Sequence, residues 1–286
     1  MRQQLFFQDA TSNKFWTAEA DGTNQIILFG AVGTQGRRSE KQFASAEACL
    51  ADTEKLIKQK IKKGYTKLAE NEVIPEKQAS SPDEVGQQFF WRSIEKSNKK
   101  RNADWSEYDV DEHIGNLTKL LSKSGKQKLI QFEKQLQICL NQLYTAEIAE
   151  LSIILECEFT KEDETIVFKD YLSDDGFIYF RCWLILKGQE FFNEISQDIN
   201  ALINGKYSFN IGDTWAEGLL YAANEAYSVN HENEDEYEIQ QGVKEQFPEV
   251  IHYDSMKRVM NRKPKGGADL HAMYPKLVEE IVRVRS

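Results

Sequence analysis

Gln25-Ile26-Ile27-Leu28-Phe29-Gly30-Ala31-Val32-Gly33-Thr34-Gln35-Gly36-Arg37 decides the architecture of the first part of the chain. Its first seven residues are mostly branched, long aliphatic or aromatic and suit a strand, and Gly33 and Gly36 follow where the chain must reverse into another. Outward from this stretch, short runs of the same character at 5–8, 14–20, 25–31 and 37–43 predict four strands. Asp21-Gly22 supplies the positive φ that a tight turn between the second and third requires. A helix is predicted over residues 46–62, with Ser45 as N-cap, Leu50, Ile57 and Ile61 recurring on one face, and Gly64 where a helix commonly ends. The expected fold is α+β, a small antiparallel sheet with one helix covering it.

Past Glu70 the pattern lapses. Up to Gln87 the chain is polar and carries Pro75, Ser80, Ser81, Pro82 and Gly86, which predicts a linker over 71–86 between a module of residues 1–70 and a second domain of residues 87–286. Helical spacing then takes over, at Phe90 and Ile94, at Leu117, Leu120 and Leu121, and at Leu129, Phe132, Leu136, Leu140 and Leu143. Residues 146–159 are apolar around most of a helical circumference, as in a buried helix. The C-terminal domain is therefore expected to be mostly α-helical.

The charge divides in the same place. Of the net −10, residues 1–70 carry 11 Lys+Arg against 8 Asp+Glu, and the remainder 25 against 38, so the parts stand at +3 and −13. An acidic body disfavours broad wrapping of nucleic acid, which confines any phosphate contact to a local patch on the first part. The longest strongly apolar run, residues 177–186, contains Arg181 and is too short to span a bilayer. No leader-like stretch follows the start, and Cys49, Cys139, Cys157 and Cys182 lie far apart without a CxxC pair. The expectation is a cytoplasmic protein with reduced thiols and no membrane partner.

Three groups of residues carry a family resemblance in the first part: Asn13-Lys14-Phe15-Trp16, then 29–36 as quoted, then Lys60-Ile61-Lys62-Lys63-Gly64-Tyr65. In order and spacing they resemble a WGR domain over roughly the first 70 residues. WGR domains occur in poly(ADP-ribose) polymerases, where they bind DNA and relay between domains, and in bacterial proteins. The triad that names the family reads Phe29-Gly30-Ala31 here, so a phenyl ring replaces the indole and the bidentate phosphate donor is absent. In the second part, Phe90-Trp91-Arg92-Ser93-Ile94-Glu95, residues 171–188 and residues 215–227 resemble the bacterial family DUF4240 over about 87–230. That family brings no established activity, and this chain departs from its usual glycine-rich turn at Phe168-Lys169-Asp170-Tyr171.

Candidate contacts for a polyanion such as DNA or RNA are Phe29, Arg37, Arg38, Lys41, Lys60, Lys62 and Lys63, with Lys55 and Lys58 along the helix. The competing reading is a solvated lysine face with Phe29 packed under the helix. In the second part Asp174, Asp175 and Arg181 suggest a polar pocket, since seven helical residues return Arg181 to nearly the face of Asp174, about 10 Å along the axis. Ser173 capping the helix and Arg181 neutralising a buried carboxylate account for the same residues structurally. Thr214-Trp215-Ala216-Glu217 reads as a capping box. His113, His231, His252 and His271 occur singly, and the acidic run 231–237 lacks the turn glycine and ligand spacing of a calcium loop. No metal or cofactor is expected, and no GxSxG, Walker or GxGxxG pattern points to a reaction. The expected role is a bacterial, non-enzymatic interaction protein that contacts nucleic acid or a protein partner, and the alternative is an enzyme or small-ligand binder with a cleft near Asp174, Asp175 and Arg181.

Overall fold

The computed structural model describes residues 1–8, 12–69, 72–74, 81–100, 107–169, 173–207, 212, 214–231, 235 and 237–286. The chain divides into two compact units, Met1–Val85 and Gly86–Ser286.

In the first unit strands β1 (Arg2–Gln8), β2 (Asn13–Asp21), β3 (Asn24–Ala31) and β4 (Arg37–Gln42) form antiparallel neighbours, as the turn glycines imply. A fifth strand, β5 (Thr66–Lys67), escapes the sequence pattern because it is two residues long, and it pairs with β1 to complete the order β4-β3-β2-β1-β5. Helix α1 (Ala46–Lys62) is capped by the Ser45 hydroxyl, which accepts from the Ala48 amide. Its buried stripe is Cys49, Thr53 and Ile57, while Leu50 and Ile61 are exposed, so the covered face is rotated from the one expected. The reason is polar. Gln25 of β3 is buried and donates to Thr53 Oγ1 at 2.8 Å, and Thr53 donates to the Cys49 carbonyl, which fixes the helix on that side. Leu5, Trp16, Ala18 and Ile57 form the small apolar core beneath it.

Helix α2 (Pro82–Ser97), most of which belongs to the second unit, begins earlier than the linker reading allows. Ser81 accepts from the Glu84 amide and Glu84 Oε2 accepts from the Ser81 amide, a reciprocal cap with Pro82 at the first helical position. Residues 82–86 are thus helix; 71 and 75–80 of the predicted linker lie outside the described residues. Then come α3 (Val110–Leu121), α4 (Lys126–Gln142), α5 (Ala146–Glu156), a hairpin of β6 (Phe159–Glu162) and β7 (Thr165–Phe168), α6 (Asp174–Leu186) and α7 (Gln189–Ile195). The hairpin corrects the expectation that the helix at 146 runs on to 159. After a 3-10 turn at Glu217–Leu220 the chain forms α8 (Ala222–Ser228), α9 (Glu238–Gln246), α10 (Asp269–Met273) and α11 (Pro275–Arg285). One core runs through the unit, with Phe90, Phe132, Leu136, Phe180 and Trp183 among its fully buried members. The C-terminal segment is tied to α5 by Glu150, a fully buried carboxylate that accepts from Arg262, the Lys265 amide and Tyr274. Among the described residues no single helix is long and apolar enough to cross a membrane.

Candidate functional site

Residues directly opposite in an antiparallel pair share a face of the sheet. The registers Leu5↔Trp16, Trp16↔Phe29 and Phe29↔Arg37 therefore place these four side chains in one row on the face that carries α1. Leu5 and Trp16 are buried there. Helix α1 passes over Gln25 and ends near Trp16, where Lys60 Nζ lies 5.6 Å from the indole centroid, and it leaves the Phe29–Ala31 end of β3 open. Phe29 consequently keeps 39% of its surface exposed, and the reading that packs it under the helix does not hold.

Two hollows meet at this ring. One, of 480 Å³, is lined by Lys14, Phe29, Ala31, Lys60 and Tyr65 among others; the second, of 490 Å³, lies toward the β3–β4 turn and is bounded by Phe29, Gly36 and Arg37. Among the described residues neither lining contains an Asp or Glu. Lys60 sits 4.9 Å from the Tyr65 ring centroid, and burial together with repulsion from Lys63 and Lys14 lowers its pKa. Such a depressed ammonium gains most from an anion that restores its charged form.

Gly30 and Gly36 explain the shape. A Cβ on Gly30 would stand 2.7 Å from the Gly36 Cα, and one on Gly36, whose φ is +70°, would stand 2.6 Å from the Phe15 ring and 2.8 Å from the Phe29 carbonyl oxygen. The strand and the returning turn are in backbone contact, and that contact holds Phe29 at the rim.

The predicted cations separate. Phe29, Arg37 and Lys60 come together, with Lys63 close enough to act on Lys60. Lys62 is exposed on the last turn of α1. Arg38 pairs with Glu40 and stands on the opposite face of β4, and Lys41 pairs with Asp52 at 3.8 Å and lies over Phe43. Lys14 and Tyr65 belong to the site and were missed as candidates. The period of two from Trp16 to Lys14, and of Phe29 to Ala31 opposite it, is the signal that places Lys14 there.

The three residues of the suggested polar pocket do not converge. Asp174 and Asp175 are exposed in the first turn of α6, where Ser173 caps the helix as expected. Arg181 is 0% exposed; its Nε donates to the Phe177 carbonyl at 3.2 Å and Nη1 to the Leu140 carbonyl at 2.8 Å, and it lies over the Phe177 and Tyr144 rings. Among the described residues no carboxylate pairs with it, and burial, with repulsion from Arg258, lowers it to about 10. The capping box at 214–217 does not form either: Thr214 Oγ1 donates to Glu156 Oε1 at 2.5 Å, and Glu217 instead lies near enough to Tyr179 and Tyr221 to raise both phenols. His113 is a satisfied core residue, bonded to Tyr108 Oη, the Ile94 carbonyl and Ser97 Oγ, and burial holds it down to about 4. Among the described residues no three His, Cys, Asp or Glu side chains gather to hold a metal ion. Residues 232–234 and 236 of the acidic run lie outside the described residues, as do Asp170 and Tyr171 of the segment that departs from the DUF4240 pattern.

Comparison with known proteins matches residues 1–72 to the WGR domain and residues 86–229 to a protein family of unknown function, DUF4240. Two curated Escherichia coli K12 proteins are similar: the uncharacterised protein YfeS, 38% identical over 65 residues, and protein YehF, 38% identical over 69 residues. Those alignments take in 23% and 24% of this chain and 27% and 25% of the relatives, so the chain spans about a quarter of the length of each. A crystal structure of a Bacteroides fragilis protein is 28% identical over 46% of this chain and 40% of that one, with a TM-score of 0.24 that leaves the fold argument unchanged.

Proposed function

The chain belongs to the DUF4240 family and carries a WGR domain ahead of it, and from that premise we propose that its first unit contacts nucleic acid through the Phe29 face. WGR domains are nucleic-acid-binding-type modules. The observation that supports the reading most is the exposed Phe29 ring set between Lys14 and Lys60 on one side and Arg37 on the other, with no carboxylate lining either hollow among the described residues. A ring at that height stacks on a base or sugar while cations on both flanks meet the backbone, the arrangement that single-stranded and frayed ends require. With no guanidinium at position 31, the phosphate contacts are mostly point charges, so binding is weak, indifferent to sequence and steeply dependent on salt. In this reading the chain is an interaction protein rather than an enzyme, and its second unit supplies a separate recognition surface.

The test is a fluorescence-anisotropy titration of the full protein with a short DNA duplex bearing a single-stranded end, at two salt concentrations. Lys14→Glu combined with Arg37→Glu reverses two exposed charges without touching the core and should weaken binding about tenfold to a hundredfold. Arg38→Glu, on the other face of the same strand, should change it far less. Absence of binding at low salt by the folded protein, or equal losses from both variants, would refute the Phe29 face and leave a protein partner as its occupant.

A further inference from the structure

A second exposed aromatic group lies in the C-terminal unit, and its surroundings differ in sign. Tyr179, one turn after Asp175 on α6, packs against Trp215 with ring centroids 5.7 Å apart. Trp215 is 59% exposed and Tyr221 is exposed as well. Glu217 and Asp175 are both near enough to Tyr179 and Tyr221 to raise the two phenols. The neighbouring Glu217 carboxylate is the main reason that Tyr179 is pushed up to about 12. Among the described residues neither Asp175 nor Glu217 has an ion-pair partner, although carboxylates elsewhere in this unit do, Glu147 with Arg262 and Glu194 with Lys206.

We propose that Trp215, Tyr179 and Tyr221, with Glu217 and Asp175, form a docking site for an arginine side chain of a basic protein segment. Each element has a physical part. An indole face attracts a cation more strongly than any other side-chain ring, and a guanidinium stacks flat on it with its edge free. Glu217, near both tyrosines, offers its carboxylate to that edge, where a planar fork matches better than a spherical ammonium. Asp175, in the first turn of α6, adds a second carboxylate. The partner's sign follows from the setting: residues 71–286 carry a net −13, so a basic segment is drawn in from a distance as well as held at the ring. Tryptophan, tyrosine and arginine are also the side chains that most often dominate protein interfaces.

The experiment titrates the full chain with a fluorescein-labelled hexa-arginine peptide, with hexalysine as comparator, at low and moderate salt. Saturable binding is expected, tighter for arginine than for lysine, and Trp215→Ala and Glu217→Gln should each weaken it about tenfold or more. Glu112→Gln, an exposed carboxylate on α3, should leave it within about twofold. Circular dichroism verifies folding, and Tyr221→Phe, which removes one hydroxyl near Glu217, serves if the tryptophan variant unfolds. The proposal is overturned if binding does not saturate, if Trp215→Ala and Glu217→Gln bind like the natural protein, if Glu112→Gln costs as much as they do, or if hexalysine binds as tightly as hexa-arginine.

Discussion

Phe29 in the first unit and Trp215 in the second are both large aromatic side chains left open to water, 39% and 59% exposed, and the charges around them are opposite. Beside Phe29 stand Lys14, Lys60 and Arg37, with no carboxylate in either lining among the described residues. Near Tyr179, which packs on Trp215, are Asp175 and Glu217, with no ion-pair partner among the described residues. A lone exposed ring on a surface is ordinary. What distinguishes these two is that neighbouring charge has been left uncompensated: the ring supplies contact area at low entropic cost, and the charge selects the partner. On the two readings proposed above the parts select ligands of opposite sign, in line with the net +3 of residues 1–70 and −13 of residues 71–286.

The comparison breaks most completely if the support of Phe29 is removed. Gly36 has the backbone of a left-handed residue, and an added methyl would meet both the Phe15 ring and the Phe29 carbonyl. Gly36→Ala should destabilise the first unit by about 4 kcal/mol, from conformational strain and overpacking together, and abolish nucleic-acid binding by displacing Phe29. Urea unfolding of the full chain followed by amide exchange at β2 and β3 measures it, with α4 as an internal reference. Unchanged protection at β3 would show that the turn repacks at little cost.

A smaller effect sharpens the acidic side, because not every carboxylate of the second unit contributes charge. Glu133 on α4 is 0% exposed; its Oε1 accepts from Gln137, its Oε2 has no partner, and burial pushes its pKa up to about 7. A raised carboxyl means that the folded state holds its proton more tightly than the unfolded chain does. The cost is absent below about pH 4.5, grows as pH rises, and is complete above about 7. Glu133→Gln should therefore stabilise the protein by about 2 to 3 kcal/mol at pH 8 and have little effect at pH 4. Glu150 gives the reverse case. Burial pushes its carboxyl up, but the bonds from Arg262, Tyr274 and the Lys265 amide outweigh that and hold it down, so its contribution is lost as pH falls. Denaturation midpoints of Glu133→Gln and the natural protein that shift in parallel from pH 4 to 8 would contradict the assignment.

The sequence made the four longer strands, α1 and its cap, the helical second part and both families legible, because strand alternation, turn glycines and caps are local signals. It left β5 invisible at two residues, and it misplaced the covered face of α1, since apolar periodicity gives no weight to Thr53 and Gln25. Ser81-Pro82-Asp83-Glu84 did carry a legible capping box, overlooked because its composition also suits a linker. The candidate sites were harder to read. Lys60 and Arg37 converge only through cross-strand register and the point where α1 stops, and Arg181 was misassigned because spacing along a helix does not reveal what the next helix offers, here the Leu140 carbonyl. Glu217 was read as a cap because the local pattern fits one, while the groups it acts on, Tyr179 and Tyr221, include a residue from another helix.

The smallest expected effect refines the basic side without disturbing it. Ala31 stands opposite Lys14 in the β2–β3 register and shares a face with Phe29, two residues away on the same strand. An arginine there would add a planar fork beside an existing ammonium, and a tryptophan at 29 would enlarge the stacking surface of a ring already at the rim. Phe29→Trp with Ala31→Arg should tighten DNA binding about tenfold, close to the worth of one charge-assisted contact, and steepen the salt dependence by roughly one released counterion. The two observables separate the causes. A tenfold gain with an unchanged salt slope would assign the improvement to stacking and leave the phosphate reading of the Lys14–Ala31 edge unsupported. A steeper slope with the same gain places a phosphate beside position 31, and with it the course of the nucleic-acid backbone across the open end of β3.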